Sequence, residues 1–281
     1  MLARLKSSSI YAHLRQIKYR RQRQALNAQP KTTLAQMRAV LLDDLHIAQG
    51  DALLVHCGFG FLHADFTPQQ LLELLKQIVG PTGTLAMPFY PPGLSQDWLK
   101  AGRIFDSAHV RCGTGVLAQT LADDEHSHIS IHPIKAVVAW GQHSRLITAQ
   151  HQRSQTPYDA HSPYYLLAQL EHSKSIGLGV RNCSMVHCAE DLYEQDMGYL
   201  YGDKPFAATV INEGKQHSVT TFVHDIREPL MESSTFFDLH CPQLVTLSQR
   251  LVSPCYAIDN SKLLPQCQQL FAQNISRKKS Q

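Results

Sequence analysis

The feature that most constrains the fold of this chain is an alternation of helical and strand patterns beginning near residue 33. A helix is predicted by LAQMRAVLLDDL, whose apolar residues recur near a period of 3.6, and a buried strand by DALLVHCGF, an apolar run ending in glycine. The next helix is predicted by TPQQLLELLKQIV, with Thr67 as N-cap and Pro68 at its first position. Another strand follows in GPTGTLAMPFYP. This order indicates a βαβ unit.

The same alternation continues to the end of the chain. Strands are predicted at IKAVVAWG and KSIGLGV, and an antiparallel pair at FAATVI and HSVTTFV. Helices are predicted at GTGVLAQTLADD, at SPYYLLAQLE with Ser162 as its cap, at VHCAEDLYEQ, and after Asn260. No repeat or linker divides residues 33–275. We therefore expect an α/β fold: a single domain over residues 32–276, with a largely parallel mixed sheet between helices.

Charge is distributed unevenly along the chain. Residues 1–31 carry +8, whereas the net charge of the whole chain is +3, so the remainder carries −5. The arm also has apolar residues at helical spacing, which is compatible with peripheral membrane contact; a solvated arm is the alternative. Outside the arm no basic patch favours nucleic acid. Residues 277–281 are expected to form a frayed basic tail.

Composition narrows the class of protein further. No apolar run reaches the roughly 18 residues of a membrane span. The seven cysteines are scattered and contain no CxxC pair, which favours reduced thiols rather than a disulfide framework or a structural zinc site. The expected location is the cytoplasm.

The segment NCSMVHCAED places His187 three residues before Glu190. On a helix these two side chains share a face, and a carboxylate beside an imidazole fixes its tautomer and raises its pKa, as a general base working near neutral pH requires. The same spacing also occurs in metal sites and on solvated helix faces, so these alternatives stay open.

Other segments carry weaker indications. Glycines in HCGFGF and CGTGVL leave backbone amides that can receive phosphates, although each also reads as a tight turn, and neither is a Walker or dinucleotide-binding fingerprint. His126, His128 and His132 lie close together in DDEHSHISIHP and are candidate zinc ligands, or part of a polar loop.

Taken in order, six segments resemble the aminoglycoside 3-N-acetyltransferase family. They are LLVHCGFGFL, VGPTGTLAMPFY, VRCGTGVLAQTL, HISIHPIKAVVAWG, HSPYYLLAQL and IGLGVRNCSMVHCAEDL. The resemblance runs from about residue 34 to about residue 272.

This resemblance implies a cytosolic enzyme that transfers acetyl from acetyl-CoA to an amine of an amino sugar or aminoglycoside, without a metal. It implies that His187 is the general base, that Glu190 supports it, and that Ser184 keeps a hydroxyl near the thioester. The acceptor is expected to contact Tyr90 and Glu190. The coenzyme is expected to contact three segments: His56, Cys57 and Gly58; Cys112, Gly115 and Val116; and Ser130, His132 and Pro133.

Two other functions remain open at this point. A metal-dependent hydrolase would use His187, Glu190 and the histidines between 126 and 132. A non-catalytic ligand-binding relative of the same fold would bind a small molecule without turnover. Between acceptors, an amino sugar for polysaccharide synthesis and an antibiotic both remain candidates. The sequence leaves the oligomeric state open, with a homodimer as one option.

Overall fold

Helices and strands alternate along the chain, as the sequence predicts. The structure is a computed structural model, which describes residue 26 and residues 28–225 and 230–278. The helices are α1 Leu34–Ala39, α2 Pro68–Val79, α3 Ser95–Lys100, α4 Val116–Ala122, α5 Ser144–Thr148, α6 Pro163–Ala168, α7 Met185–Tyr193, α8 Ser233–His240 and α9 Asn260–Ala272. The strands are β1 Ala52–Cys57, β2 Thr84–Pro88, β3 Phe105–Asp106, β4 His128–Ile129, β5 Val137–Gly141, β6 Ser173–Leu178, β7 Phe206–Asn212, β8 Lys215–Thr221, β9 Val245–Ser248 and β10 Cys255–Asp259.

Seven strands form the main sheet in the order β4-β5-β2-β1-β6-β10-β9. The central strand β1 runs parallel to both β2 and β6, and the outer pairs are antiparallel. The predicted α/β fold with a mixed sheet is confirmed, and parallel pairing is confined to its centre. The carboxyl ends of three strands therefore meet at one edge.

The central strand contributes to a core on each face of the sheet. Leu53 and Val55 pack into one cluster with Leu71 and Leu75 of α2, whereas Leu54 belongs to the other, which includes residues of α6, α7 and α9. This follows from the period of two in a strand, which sends successive side chains to opposite faces. Because both faces are covered, β1 is an almost continuous apolar run.

Local signals set the helix boundaries. Thr67 forms a capping box with Gln70, with Pro68 in the first turn of α2 as predicted. Ser162 caps α6 by accepting a hydrogen bond from Tyr165 N. The last helix was expected after Asn260 but includes it, because the Asp259 side chain is the cap and accepts from Ser261 N.

A smaller sheet has the order β3-β7-β8. Its β7 and β8 are the predicted antiparallel pair, with register from Phe206 opposite Thr221 to Asn212 opposite Lys215. Glu213 and Gly214 form the turn, both with positive φ, which glycine at the second position tolerates without steric cost.

Two expectations concern the ends of the chain. The basic arm of residues 1–31 lies almost entirely outside the described residues. The expectation of a frayed tail from residue 277 is wrong at its first residue, because Arg277 is only 7% exposed. Its backbone oxygen accepts a 2.7 Å hydrogen bond from Met231 N, which fixes this segment to the domain. No helix in the described parts of the chain is long and apolar enough to cross a membrane.

Candidate active site

The three parallel strands deliver the predicted site residues to one edge of the sheet. Gly58 follows β1, Phe89 and Tyr90 follow β2, and the loop from Gly179 to Ser184 follows β6 and leads into α7. Crevices beyond the carboxyl ends of parallel strands are where open α/β sheets bind ligands. The topology therefore brings together residues from distant parts of the sequence.

The central feature of this edge is a histidine–carboxylate pair on α7. His187 Nδ1 lies 2.8 Å from Glu190 Oε2, and the side chains are 24% and 0% exposed, respectively. When Nδ1 carries the hydrogen and donates it to the carboxylate, Nε2 keeps a lone pair and is free to accept a proton. The predicted pair therefore has the geometry of a general base.

Arg277 joins this pair from the C-terminal segment. Its Nη1 lies 3.2 Å from each oxygen of Glu190 and 3.3 Å from His187 Nδ1. Its Nε donates a 2.8 Å hydrogen bond to Met231 O. The buried carboxylate therefore has both an imidazole and a guanidinium as partners.

Burial and charge set the protonation of the pair. Burial raises the pKa of Glu190 to about 7, and the Arg277 guanidinium opposes this rise. Burial, followed by the charges of Arg277 and Lys135, holds the pKa of His187 well below its ordinary value. The expectation that the carboxylate raises this pKa is therefore wrong, and the imidazole is neutral near pH 7, which is the state that a base needs.

Ser184 stands at the start of α7, next to the pair. Its backbone N–H donates to His56 Nε2 at 3.0 Å, and its Oγ lies 3.0 Å from the same nitrogen. Because the lone pair of His56 Nε2 already accepts a hydrogen bond from the Ser184 backbone amide, the Ser184 hydroxyl competes poorly for the same lone pair. Burial lowers the pKa of His56 to about 4, so His56 stays a neutral acceptor.

A cluster of tyrosines adjoins the base. The hydroxyl of Tyr90 lies 3.1 Å from that of Tyr158 and 2.8 Å from that of Tyr164, and the Tyr158 ring is 5.1 Å from the His187 ring. Lys135 Nζ stands 4.1 Å from the centre of the Tyr90 ring. Tyr90, the predicted acceptor contact, is thus connected to the base through aromatic rings.

His224 completes the aromatic surroundings of the base. Its ring centre is 5.1 Å from that of His187 and 5.8 Å from that of Tyr158, with which it stacks. Its Nε2 is buried and has no hydrogen-bond partner among the described residues. Burial holds the pKa of His224 well below its ordinary value.

The two glycine turns predicted to face the coenzyme are adjacent, but one amide is already occupied. Gly58 N donates to Leu178 O at 2.9 Å, which extends the β1–β6 pairing, so the expectation that this amide is free is wrong. Gly115 has φ +134°, and a Cβ there would stand 3.2 Å from Cys57 O. The next residue, Val116, opens α4 and is 48% exposed.

Cys57 and Cys112 accompany these turns as partly buried free thiols. Burial raises the pKa of Cys57 to about 12, so it is a neutral thiol. Cys112 N donates to the Gln119 side chain at 2.9 Å, and Cys112 Sγ lies 2.9 Å from Thr114 Oγ1. These contacts fix the shape of the turn before α4.

The third predicted coenzyme segment lies inside the protein. Ser130 and His132 are 1% and 0% exposed, and Pro133 is buried as well. Ser130 Oγ accepts from Val137 N at 2.9 Å and lies 2.8 Å from His151 Nδ1. The His132 and His151 rings stack at 4.4 Å. These side chains satisfy one another, and their coenzyme contact stays a prediction.

The histidines considered for zinc do not assemble into a ligand set. His126 is exposed and lies near Asp124 and Glu125, whereas His132 Nε2 bonds Thr221 Oγ1 inside the protein at 3.2 Å. Among the described residues, no group of three or more histidine, cysteine, aspartate or glutamate side chains is placed to hold a metal ion.

Sequence reasoning missed three members of this site: Lys135, His224 and Arg277. Lys135 lies inside the predicted strand IKAVVAWG, two residues after the HP pair, whereas His224 directly follows the predicted strand HSVTTFV, so position after a strand was an available signal for His224 alone. Arg277 carries no local signal, since it meets His187 across 90 positions of sequence.

A buried histidine–glutamate pair thus lies beyond the carboxyl ends of the parallel strands of this α/β fold. The family model described as aminoglycoside 3-N-acetyltransferase matches residues 54–259. The chain belongs to this family, and its class is therefore that of acyltransferases. This confirms the resemblance seen in the sequence.

Solved structures share the fold. The aminoglycoside acetyltransferase AAC(3)-Xa is 16% identical, with 95% of this chain and 100% of that chain covered and a TM-score of 0.72. AAC-IIIb in a binary complex with CoASH is 18% identical over 89% and 100% of the two chains, with a TM-score of 0.70. AAC-VIa bound to sisomicin is 19% identical over 86% and 99%, with a TM-score of 0.68. No curated protein sequence matches the chain.

Proposed function

We propose that this protein transfers an acetyl group from acetyl-CoA to an amine of an amino sugar, with His187 as general base. The observation that carries the proposal is the 2.8 Å contact between His187 and a fully buried Glu190 at the carboxyl edge of the sheet. Membership of the acetyltransferase family supports the reaction type.

The chemistry needs one proton acceptor and one proton return. The ammonium first loses one proton to water, and as the neutral amine nitrogen attacks, His187 Nε2 takes a second proton from that nitrogen while Glu190 holds Nδ1–H. The amine nitrogen then bonds to the acetyl carbon, the carbon–sulfur bond breaks, and the imidazolium returns its proton to the departing thiolate. A positioned base of matched pKa typically contributes 10²–10⁴-fold.

The developing oxyanion needs donors at the start of α7. The Ser184 backbone amide already donates to His56 Nε2 at 3.0 Å. The hydrogen of the Ser184 hydroxyl is therefore available to the oxyanion. Donors directed at the charge that forms during reaction are among the largest contributions in acyl transfer.

The residues present fit a coenzyme along the turns after β1 and before α4. A Cβ at Gly115 would stand only 3.2 Å from Cys57 O and the φ of this residue is +134°, so the turn favours glycine, and the first amides of α4 have no acceptor within their helix. Val116 offers an exposed apolar side chain beside them. Acetyl-CoA, when bound, supplies the activated acetyl group; the turns and Val116 would hold its chain.

The charges around the base favour an acceptor that carries a negative group. Both oxygens of Glu190 already accept from Arg277, and those of Asp191 accept from Tyr201 Oη at 2.6 Å and Tyr158 N at 2.9 Å. The ammonium of Lys135 has no carboxylate partner in the described part of the chain. We therefore favour a nucleotide-linked amino sugar over a polycationic aminoglycoside.

The test is release of free CoA from acetyl-CoA across a panel of nucleotide-linked amino sugars and aminoglycosides. We expect turnover with the amino sugars, and a loss of at least about 100-fold in His187→Ala. The matched control is His109→Ala, because His109 Nδ1 also lies 2.8 Å from a carboxylate, that of Asp106, but is 82% exposed.

Turnover that survives His187→Ala would remove the proposed base. Turnover with aminoglycosides alone would keep the reaction and overturn the acceptor class. Absence of CoA release, together with saturable binding of CoA, would favour the non-catalytic ligand-binding alternative. Activity that depends on an added metal and disappears with a chelator would favour the hydrolase instead.

A further inference from the structure

The C-terminal segment enters the site through one side chain. Residues 277 and 278 run beside residues 230 and 231, where Met231 N donates to Arg277 O at 2.7 Å and Leu230 pairs with Lys278 in an isolated bridge. The neighbouring side chains diverge. Lys278 is 40% exposed and lies 3.7 Å from Asp196, whereas the Arg277 side chain is 8% exposed and reaches Glu190.

We propose that Arg277 is the positioning residue of the dyad, which keeps Glu190 ionised and aligned so that His187 presents an unprotonated Nε2. This inference rests on the proposed function and extends it to a residue outside the family match, which ends at residue 259. The C-terminal segment is therefore part of the active site.

The contacts of Arg277 support a built-in role. Its Nε is fixed by Met231 O at 2.8 Å, which orients the planar guanidinium, and its Nη1 then reaches both oxygens of Glu190 at 3.2 Å. A guanidinium held at two points positions a carboxylate more strictly than a flexible ammonium does. Glu190 in turn keeps its 2.8 Å contact with His187 Nδ1.

Electrostatics gives the reason why a cation is needed here. Burial of a carboxylate carries a desolvation cost and favours uptake of a proton, and a protonated Glu190 would be a weaker, uncharged acceptor for Nδ1–H and could itself donate to Nδ1. Arg277 counters this tendency, and its charge also disfavours a second proton on His187. The other charged and titratable groups around the pair include Lys135, His56, His224, Tyr158, Asp191, Tyr199, Tyr201 and Cys267.

The variants are Arg277→Gln, which removes the charge, Arg277→Lys, which keeps it, and the control Lys278→Gln, which removes a charge from the next residue. In each full-length protein, the imidazole of His187 is titrated by NMR, with its signal identified by its loss in His187→Ala. The pH profile of kcat/KM is then measured by CoA release.

We expect Arg277→Gln to raise the titration midpoint of His187, and the acid limb of kcat/KM with it, by about one pH unit. At pH values below both midpoints kcat/KM should then fall about 10-fold, whereas at pH 8, above both midpoints, this loss should be absent. Arg277→Lys should keep most of the wild-type midpoint but lower kcat/KM several-fold at every pH, because a flexible ammonium aligns Glu190 less strictly, and Lys278→Gln should leave both quantities unchanged.

A folded Arg277→Gln protein with the wild-type midpoint would overturn the proposal. If Arg277→Gln does not fold, Arg277→Lys is compared with Lys278→Gln. Values of kcat/KM, His187 midpoint and acid limb that are equal in both variants and match wild type would also overturn the proposal, since a guanidinium would then not be needed to align Glu190. The NMR midpoint is measured without substrate, so it tests the role of Arg277 even if no acceptor gives turnover. A lack of turnover with every acceptor would count against the proposed function alone.

Discussion

The molecule contains the same local pair twice, with different surroundings. His187 and Glu190 on α7 are 2.8 Å apart, and so are His109 and Asp106 after β3. In the first pair the carboxylate is fully buried and burial raises its pKa to about 7; in the second the hydrogen bond from His109 lowers the pKa of Asp106. The two pairs therefore share their sequence spacing and their distance. Only the carboxylate of the His187–Glu190 pair is fully buried and has the charge of Arg277 beside it.

The comparison shows what converts a common spacing into a candidate catalytic site. An exposed pair is screened by water and contributes little. A buried pair has no water to compensate its charges, so each partner depends on the others. The predictions below test that difference.

The largest expected effect follows from Glu190→Gln. The change replaces the carboxylate that faces His187 Nδ1 by a neutral amide and leaves the Arg277 guanidinium buried without its counter-charge. We expect kcat to fall about 10²–10³-fold and the free energy of unfolding to fall by about 3–5 kcal/mol. Steady-state CoA release and urea unfolding measure the two effects.

The matched control is Asp106→Asn, which breaks the exposed pair of the same length. It should cost less than about 1 kcal/mol of unfolding free energy and leave kcat unchanged. Equal losses in the two variants would show that burial does not separate the pairs, and the assignment of the dyad would then be abandoned.

The next effect concerns the buried histidines behind the site. Burial lowers the pKa of His151 from 6.5 to about 4, so between these values the unfolded chain binds a proton that the folded chain excludes. The stability due to a neutral His151 is therefore present above pH 6.5 and is lost as pH falls toward 4. Since one pKa unit corresponds to 1.36 kcal/mol, this loss amounts to roughly 3 kcal/mol.

Comparison with His151→Gln isolates this contribution, because Glu190 and Asp191, whose pKa values burial raises to about 7, act on stability in the opposite direction in both proteins. The stability difference between wild type and variant should shrink by roughly 3 kcal/mol from pH 7 to pH 4. A difference that stays constant across this range in urea unfolding would contradict it.

Sequence patterns predicted the parts of the fold that depend on neighbouring residues. The capping box at Thr67 and the β7–β8 hairpin are both local, because their partners lie within a few residues or one tight turn. The dyad was found for the same reason, since positions three apart share a helix face.

The parts that sequence could not predict depend on distant residues. Arg277 reaches Glu190 from 87 positions away, and no periodicity links them. The amide of Gly58 was expected to be free, but strand pairing continues one residue beyond β1 and uses it. Ser130 and His132 fit the expected coenzyme segment by order, yet their burial follows from contacts with His151 and Thr221.

The smallest expected effect concerns Lys135, whose ammonium lies over the Tyr90 ring and has no carboxylate partner among the described residues. Burial lowers its pKa to about 8, so it is still mostly protonated at pH 7. Lys135→Met should lower kcat/KM for a nucleotide-linked amino sugar about 10-fold relative to an amino sugar without phosphate groups. The reason is that a charge-assisted contact between Lys135 and a phosphate contributes about 1.4 kcal/mol or more. Lys278→Met is the control, since that cation lies at Asp196. An unchanged ratio of kcat/KM between the two acceptors would mean that Lys135 does not bind the negative group of the acceptor. The burial and charges of the His187–Glu190 pair would then be the difference between this site and the exposed His109–Asp106 pair.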